Sequence, residues 1–497
     1  MKQKRTTKNT IVTILATLLI LTAFWPQVKV LAAGASDWTS YRGAPDNNAV
    51  VVFEEPIGLA DERVWSNMVG DLGEWGTNSK SSFLIIDERL YFASEDQLYQ
   101  LDRAGHVVGQ MTLSGMVGYT AIPVYNEWII IPLDGGALEA VDPKTMTSQW
   151  VSLSPAAEGE YLQNGNALQV ADGVVYSLTQ LLDENWMSVK GTIQAVDLLS
   201  GESLWIREDI AIDSEAGYNL TGAFVLGDKL LVVGEKGEMV MLDKRTGETV
   251  ATESIGAKVK SLLVQDGDLL YFTTFDGRLV AYEVKGQVMT KRKDIAFSVK
   301  SNSTPVIHEG KAYVGGLLEY ADWETGTPAV GIFAVIDLET EEVVERYETE
   351  GEVQSSPLLM AGTDTIYVYF TVNNEVGALY AYDKEAISEV YVPEEESRQY
   401  SMFSPVADEQ GTIYYANDSG YVFALQSLFV EEPIETEPAP TAPAVEQEPT
   451  VTSPERNEAI EKGSPKWPLA AGIAVAVILV NVIIWRIVLR LRKKISR

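Results

Sequence analysis

The sequence predicts an all-β fold, an eight-bladed β-propeller closed by a strand from its N-terminal side. Three observations carry that expectation. One unit recurs eight times between Ser81 and Leu425. Its internal turns need positive φ, and Gly or Asp stands at them. The last copy lacks its fourth strand, and a matching segment precedes the first copy.

The first copy reads SSFLIIDERLYFASEDQLYQLDRAGHVVGQMTL from Ser81, and the fourth reads TGAFVLGDKLLVVGEKGEMVMLDKRTGETVAT from Thr221. Each has an apolar strand, an Asp/Gly turn, a strand such as Leu90-Tyr91-Phe92, a Gly turn and a third strand. The Gly turns include Asp134-Gly135-Gly136, Lys236-Gly237, Asp276-Gly277 and Ser419-Gly420. Third strands end at Asp102, Asp142, Asp197, Asp243, Glu283, Asp337, Asp383 and Gln426. The mean spacing of about 46 residues is the size of a four-stranded blade. Fourth strands follow, as at Gln149-Trp150-Val151, except in the eighth copy, which stops at Ala424-Leu425. Arg63 to Val69 supplies the missing strand and removes the open sheet edges. Seven blades is the alternative, should the irregular third or sixth copy not be a blade.

The flanks predict an address. Residues 1–35 read as a signal peptide: Lys2, Lys4, Arg5 and Lys8, a short apolar run, then small residues with cleavage after Ala32 or Ala35. An uncleaved anchor is the competing reading. Residues 36–80 form a leading segment and the closing strand, and 81–430 the propeller. Residues 431–466 are a Pro/Glu-rich disordered stalk, whose composition buries too little to offset ordering entropy. Extended at roughly 3.1 Å per residue, it reaches about 100 Å. Residues 467–489 are a transmembrane helix: its 19 uncharged residues from Trp467 to Trp485 span about 28 Å as a helix. Residues 490–497 are a basic tail, which the positive-inside rule leaves in the cytoplasm. The expected product is a single-pass type I protein of the bacterial cell membrane, propeller outside.

Charge excludes several partners. All 71 acidic residues lie within 36–465, with only 26 basic ones, a net of −45 for that segment. Such a body repels nucleic acid and anionic lipid. The absence of Cys removes disulfides and thiolate chemistry. The two histidines, His106 and His308, read as surface turn residues, and no nucleophile–base pair, phosphate loop or metal-ligand cluster appears. Trp65, Trp150 and Trp205 recur on outer strands as blade packing. Asp46-Asn47-Asn48 reads as a turn.

The repeat, carried by Ser303-Thr304-Pro305-Val306, Asp276-Gly277-Arg278-Leu279 and Thr246-Gly247-Glu248, resembles that of the pyrroloquinoline-quinone (PQQ)-type propellers. Asp37-Trp38-Thr39-Ser40-Tyr41-Arg42-Gly43 resembles the segment such proteins place before the first blade. The resemblance covers roughly residues 37–425 and implies the scaffold. The family includes quinoprotein dehydrogenases, a propeller lipoprotein of bacterial outer-membrane assembly, and surface proteins without known activity. In the dehydrogenases it implies PQQ and Ca²⁺ beside a catalytic carboxylate, a stacked Trp and a vicinal disulfide. No Cys exists here, and no Asp, Glu or Trp maps onto those roles, so no catalytic, cofactor or metal residue is assigned.

With strands A to D running from axis to rim, the D–A and B–C connections open on one face, and that face is the candidate binding surface. Copy three makes a B–C excursion from Gln180 through Asp183 and Glu184 to Trp186. Copy six makes one with Tyr320, Asp322, Trp323 and Glu324. The link into blade 1 holds Trp75, and other D–A links hold Tyr119, Tyr161, Tyr218 and Tyr400. Aromatic rings among carboxylates suit a protein, glycan or cationic partner; rings packed under their own loops are the plainer alternative. The functional expectation is a monomeric, non-catalytic binding or assembly scaffold. A quinone- or metal-dependent oxidoreductase, or a ligand sensor, using the central funnel competes with it.

Overall fold

Eight antiparallel sheets ring a central channel in the computed structural model, which describes residues 37–426 apart from 73–77, 79, 119, 120, 212–214 and 323. Blade 1 runs outward through Leu84–Ile86, Arg89–Ser94, Gln97–Leu101 and Val107–Thr112. Blade 2 runs from Val124–Asn126 to Thr147–Val151, blade 3 from Gln169–Ala171 to Ser203–Ile210, and blade 4 from Phe224–Leu226 to Thr249–Ser254. Blade 5 runs from Val264–Asp266 to Val288–Ala296, blade 6 from Val306–His308 to Glu342–Glu350, and blade 7 from Leu358–Ala361 to Ile387–Tyr391. Blade 8 has Val406–Ala407, Thr412–Ala416 and Tyr421–Gln426, and takes its outer strand from Glu62–Met68. Ser66 stands opposite Phe423 in that antiparallel closure. The third and sixth copies are both blades, so the count is eight.

The chain divides into two units, residues 1–432 and 433–497. The second, which carries most of the stalk and the expected membrane helix and tail, lies outside the described residues, as do residues 1–36. Among the described residues no helix is long and apolar enough to cross a membrane.

Middle strands are buried on both sides, because each sheet packs against two neighbours. Buried apolar clusters therefore sit between blades, such as Phe333 of blade 6 stacked on Phe370 of blade 7 at 4.5 Å between centroids. Each such ring contributes roughly 1.5–3 kcal/mol of burial. The third-to-outer strand pairing carries a register shift in all eight blades. A bulge there adds twist, which lets a sheet that is narrow at the axis splay at the rim.

The outer-strand tryptophans fasten one blade to the next. Trp205 of blade 3 donates its ring N–H to the Lys244 carbonyl of blade 4 at 3.2 Å and lies over Gly247. Trp150 does the same to Leu198 and Gly201, and Trp65 to Arg103 and Gly105. The glycines take φ near +75°, and a Cβ on Gly247 would meet the indole at 2.6 Å.

The leading segment goes further than its sequence showed: it fills the channel. Trp38 bridges Ile85, Thr39 accepts from Tyr125, and the Asp46 carbonyl accepts from the Gln265 N–H. Asn48 exchanges two side-chain bonds with Ile307, at 2.8 and 2.9 Å. Val50–Val52 then adds to blade 7 as a fifth strand, parallel to Leu358–Ala361. All these partners are on innermost strands near their A–B turns, so the plug seals the face opposite the candidate one. Arg42 is buried in it against the Asn47 and Pro305 carbonyls, and burial lowers its pKa to about 10.

Candidate functional site

With the A–B end plugged, the channel becomes a funnel open at the D–A/B–C face. Its floor is Tyr41, whose hydroxyl donates to Ser356 Oγ at 3.1 Å and shares a 2.8 Å bond with Ser404 Oγ. Those serines belong to a chain of bonds from blade to blade: Leu262 N–H to Thr304 Oγ1, Thr304 N–H to Ser356 Oγ, and Ser356 N–H to Ser404 Oγ, at 2.9–3.0 Å. The hydroxyl residue just before each proline, Thr304, Ser356 and Ser404, thus holds the inner strands in register around the floor.

Above it lies a cavity of about 100 Å³, walled by Ile122, Leu220, Leu262, Met402 and Phe403 and by the polar side chains of Lys80, Asn302 and Gln354. Lys80, Leu220, Asn302, Gln354 and Met402 each stand four residues ahead of an innermost strand, so the repeat itself aims them inward. Lys80 is buried. Its ammonium donates to the Val69 carbonyl at 2.6 Å and to Asn78 Oδ1, which also accepts from Ser94. Desolvation lowers its pKa to about 7, with Glu95 opposing weakly. Asn302 Oδ1 is buried without a partner.

At the rim, cations and acids pair off. Lys260 and Lys300 approach the Phe275 ring at 5.1 and 5.5 Å. Lys260 pairs with Glu235 at 2.9 Å, Lys300 with Glu352 at 2.8 Å, and Lys258 with Glu215.

The candidate residues of the sequence fall into four groups. Trp75, Tyr119 and Trp323 lie outside the described residues. Tyr161, Trp186, Tyr320 and Tyr400 are exposed, Trp186 by 78%. They do not converge, since Trp186 belongs to blade 3 and Tyr320 to blade 6. The B–C excursions are mainly longer hairpins: Gln180 to Leu182 and Leu318-Glu319 are strand, which leaves short tips. In those tips the acids serve their own turns. Asp183 accepts from the Asn185 and Met187 N–H groups and Asp322 from that of Glu324, which holds both carboxyls below their usual range. Glu184 and Glu324 face solvent.

Tyr218 is a correction. It is buried between blades 3 and 4, where Gly191, Gly217 and Gly234 leave room for its ring, and its hydroxyl donates to Asp209. An aromatic ahead of an innermost strand looked like a rim residue, but three small neighbours turned it into core. The sequence reading missed Tyr41, Lys80, Asn302 and Gln354. Aligning the D–A links on their innermost strands would have found the last three.

The PQQ and Ca²⁺ that the repeat implies in dehydrogenases can be tested against this lining. The quinone carries three carboxylates on three fused rings, whereas Lys80 is the one cation among the described residues of the cavity wall. The cavity is about a third of the smallest ordinary ligand pocket. No group of three or more His, Asp or Glu among the described residues is placed to hold a metal. These residues do not fit that pair.

A sequence profile described as outer membrane protein assembly factor BamB, PQQ_2, matches residues 47–287 and 189–428. No curated protein matches by sequence. Among solved structures, the quinohemoprotein alcohol dehydrogenase ADHIIG from Pseudomonas putida HK5 gives a TM-score of 0.58 at 11% identity, over 82% of each chain. That of Comamonas testosteroni gives 0.57 at 11%, over 80% of this chain and 81% of that one. The computationally designed Ika8 protein gives 0.52 at 11%, over 73% and 99%. Likenesses at such identity establish the fold alone, which dehydrogenases and a designed protein share. The profile match runs over more than half of the sequence, and the chain belongs to the PQQ_2 propeller family, described as outer membrane protein assembly factor BamB.

Proposed function

We propose that this protein is a non-catalytic binding and assembly scaffold at the bacterial cell surface, working through its D–A/B–C face. The observation that carries the reading is the plug: it engages the A–B face, leaving the other with the open funnel and the exposed rings of Tyr161, Trp186, Tyr320 and Tyr400. Rings spread around a rim, with carboxylates beside them, suit a broad protein or glycan surface better than a small substrate. The family's describing name, an assembly factor, agrees with such a role. The described funnel lining offers a single lysine to a quinone with three carboxylates, which favours the scaffold over quinone chemistry.

A photocrosslinking residue at position 186 or 320 of the full-length protein in its native membrane is expected to give discrete adducts. The same residue at Lys144, in the C–D turn of blade 2 on the opposite face, is expected to give none. Adducts from position 144 alone would overturn the assignment of the face.

The same proposal puts the propeller outside, on the 431–466 stalk, with the helix at 467–489 in the membrane. Its support is the uncharged run and the basic tail. Protease added to intact cells should release the propeller by cutting the stalk and spare a tag placed after Arg497. A propeller retained and intact under that treatment would refute this topology.

A further inference from the structure

We infer that the funnel is a binding site for a small organic carboxylate, its apolar body on the Phe403–Met402 wall and its anionic end on Lys80. Lysines 258, 260 and 300 in the D–A links each face a carboxylate, but Lys80, on the cavity wall, faces two neutral acceptors, the Val69 carbonyl and Asn78 Oδ1. Two of its three ammonium protons are thereby engaged, and the third has no acceptor among the described residues. A desolvated ammonium without a counter-charge is costly, and an anion in the cavity removes that cost.

The groups that bear on Lys80 come from several elements. Glu95, in the B–C turn of blade 1, acts on it only through space. Asp418, from blade 8, shares the cavity wall. Tyr41 presents its hydroxyl at the floor, and the Phe92 ring centroid lies 5.9 Å from the ammonium. Among the described residues, neither Glu95 nor Tyr41 forms an ion pair with Lys80, whose hydrogen bonds go to Val69 and Asn78.

The remaining lining suits the rest of such a ligand. The Asn302 and Gln354 amides and the hydroxyls of Ser82 and Thr304 offer neutral hydrogen bonds. Leu220, Leu262 and Ile122 close the sides. A volume of about 100 Å³ is of the order that takes one aromatic ring.

Benzoate and its neutral isostere benzamide are the probes. Calorimetric titration of the full-length protein should show benzoate binding at least tenfold more tightly than benzamide. Because the anion favours the ammonium, benzoate binding slightly above neutral pH should take up a proton, seen as a dependence of the heat on buffer ionisation enthalpy. Peptide-resolved labelling by an amine-acylating reagent should show the Lys80 titration moving to higher pH with benzoate and not with benzamide. Lys80→Met should weaken benzoate at least tenfold and leave benzamide unchanged. Equal binding of the two probes by wild type, or a Lys80 titration unmoved by benzoate, overturns the proposal without reliance on the variant. The scaffold reading survives either result, since it rests on the rim.

Discussion

Lys80 has its charge state set by burial, because among the described residues no carboxylate pairs with it. The sign of the resulting pH dependence follows from linkage. The unfolded lysine keeps its ordinary pKa near 10.4, while the folded one titrates at about 7. Between those values the unfolded chain holds more protons, so stability rises with pH through that window, and the penalty is present in full below it. Denaturant unfolding of wild type and Lys80→Met across that range isolates the effect. Wild type should gain roughly 2–4 kcal/mol on the variant between about pH 7 and pH 10. A constant difference would mean that Lys80 titrates normally. Tyr218 makes the complementary point: burial and the neighbouring Asp209 push its hydroxyl well up, so it stays a neutral donor in the core.

Among elements, the Trp-over-Gly contacts and the C–D bulges carry the geometry of the ring. Gly247→Ala must place a methyl against the Trp205 indole at a φ of +73°, whereas Gly227→Ala meets only open space at φ +62°. The first should cost about 2–4 kcal/mol and the second about 1 kcal/mol, the backbone cost alone. Thermal unfolding of the two variants side by side measures the difference. Equal losses would show that the indole moves aside. Sheet extension accounts for blades 3 and 6, whose second strands, Val174–Leu182 and Lys311–Glu319, run nine residues each. The second strands of the other six blades run five or six residues, so the extra residues of these two fell where the repeat predicts a turn.

For the whole molecule, closure is the decisive event. Removing residues 62–68 leaves Tyr421–Gln426 as an open edge and unfastens Trp65 from blade 1. Unpaired edges of that length recruit other chains. The deletion variant should lose its single cooperative transition and aggregate at concentrations where wild type stays monodisperse in light scattering. Retained cooperativity would mean that blades 1 and 8 hold each other without the strand. Net charge works in the other direction: a −45 segment repels itself and its copies, which favours solubility over compactness.

The sequence alone determined the architecture. Eight copies, glycines at turns of positive φ and a strand displaced to the front are local patterns repeated along the chain, and each copy reports on the others. The closing strand was legible because its partner was missing. The family followed from the same repeat. Tertiary structure decided the site. Whether Tyr218 lines a rim or a core depends on Gly191, Gly217 and Gly234, 27 positions away at the farthest and 1 at the nearest. That Tyr41 floors the funnel depends on serines more than 300 positions on. Lys80 was written in plain view, but its lack of a counter-charge belongs to no stretch of sequence. It arises where links from several blades meet at one axis, and only the closed ring brings them there.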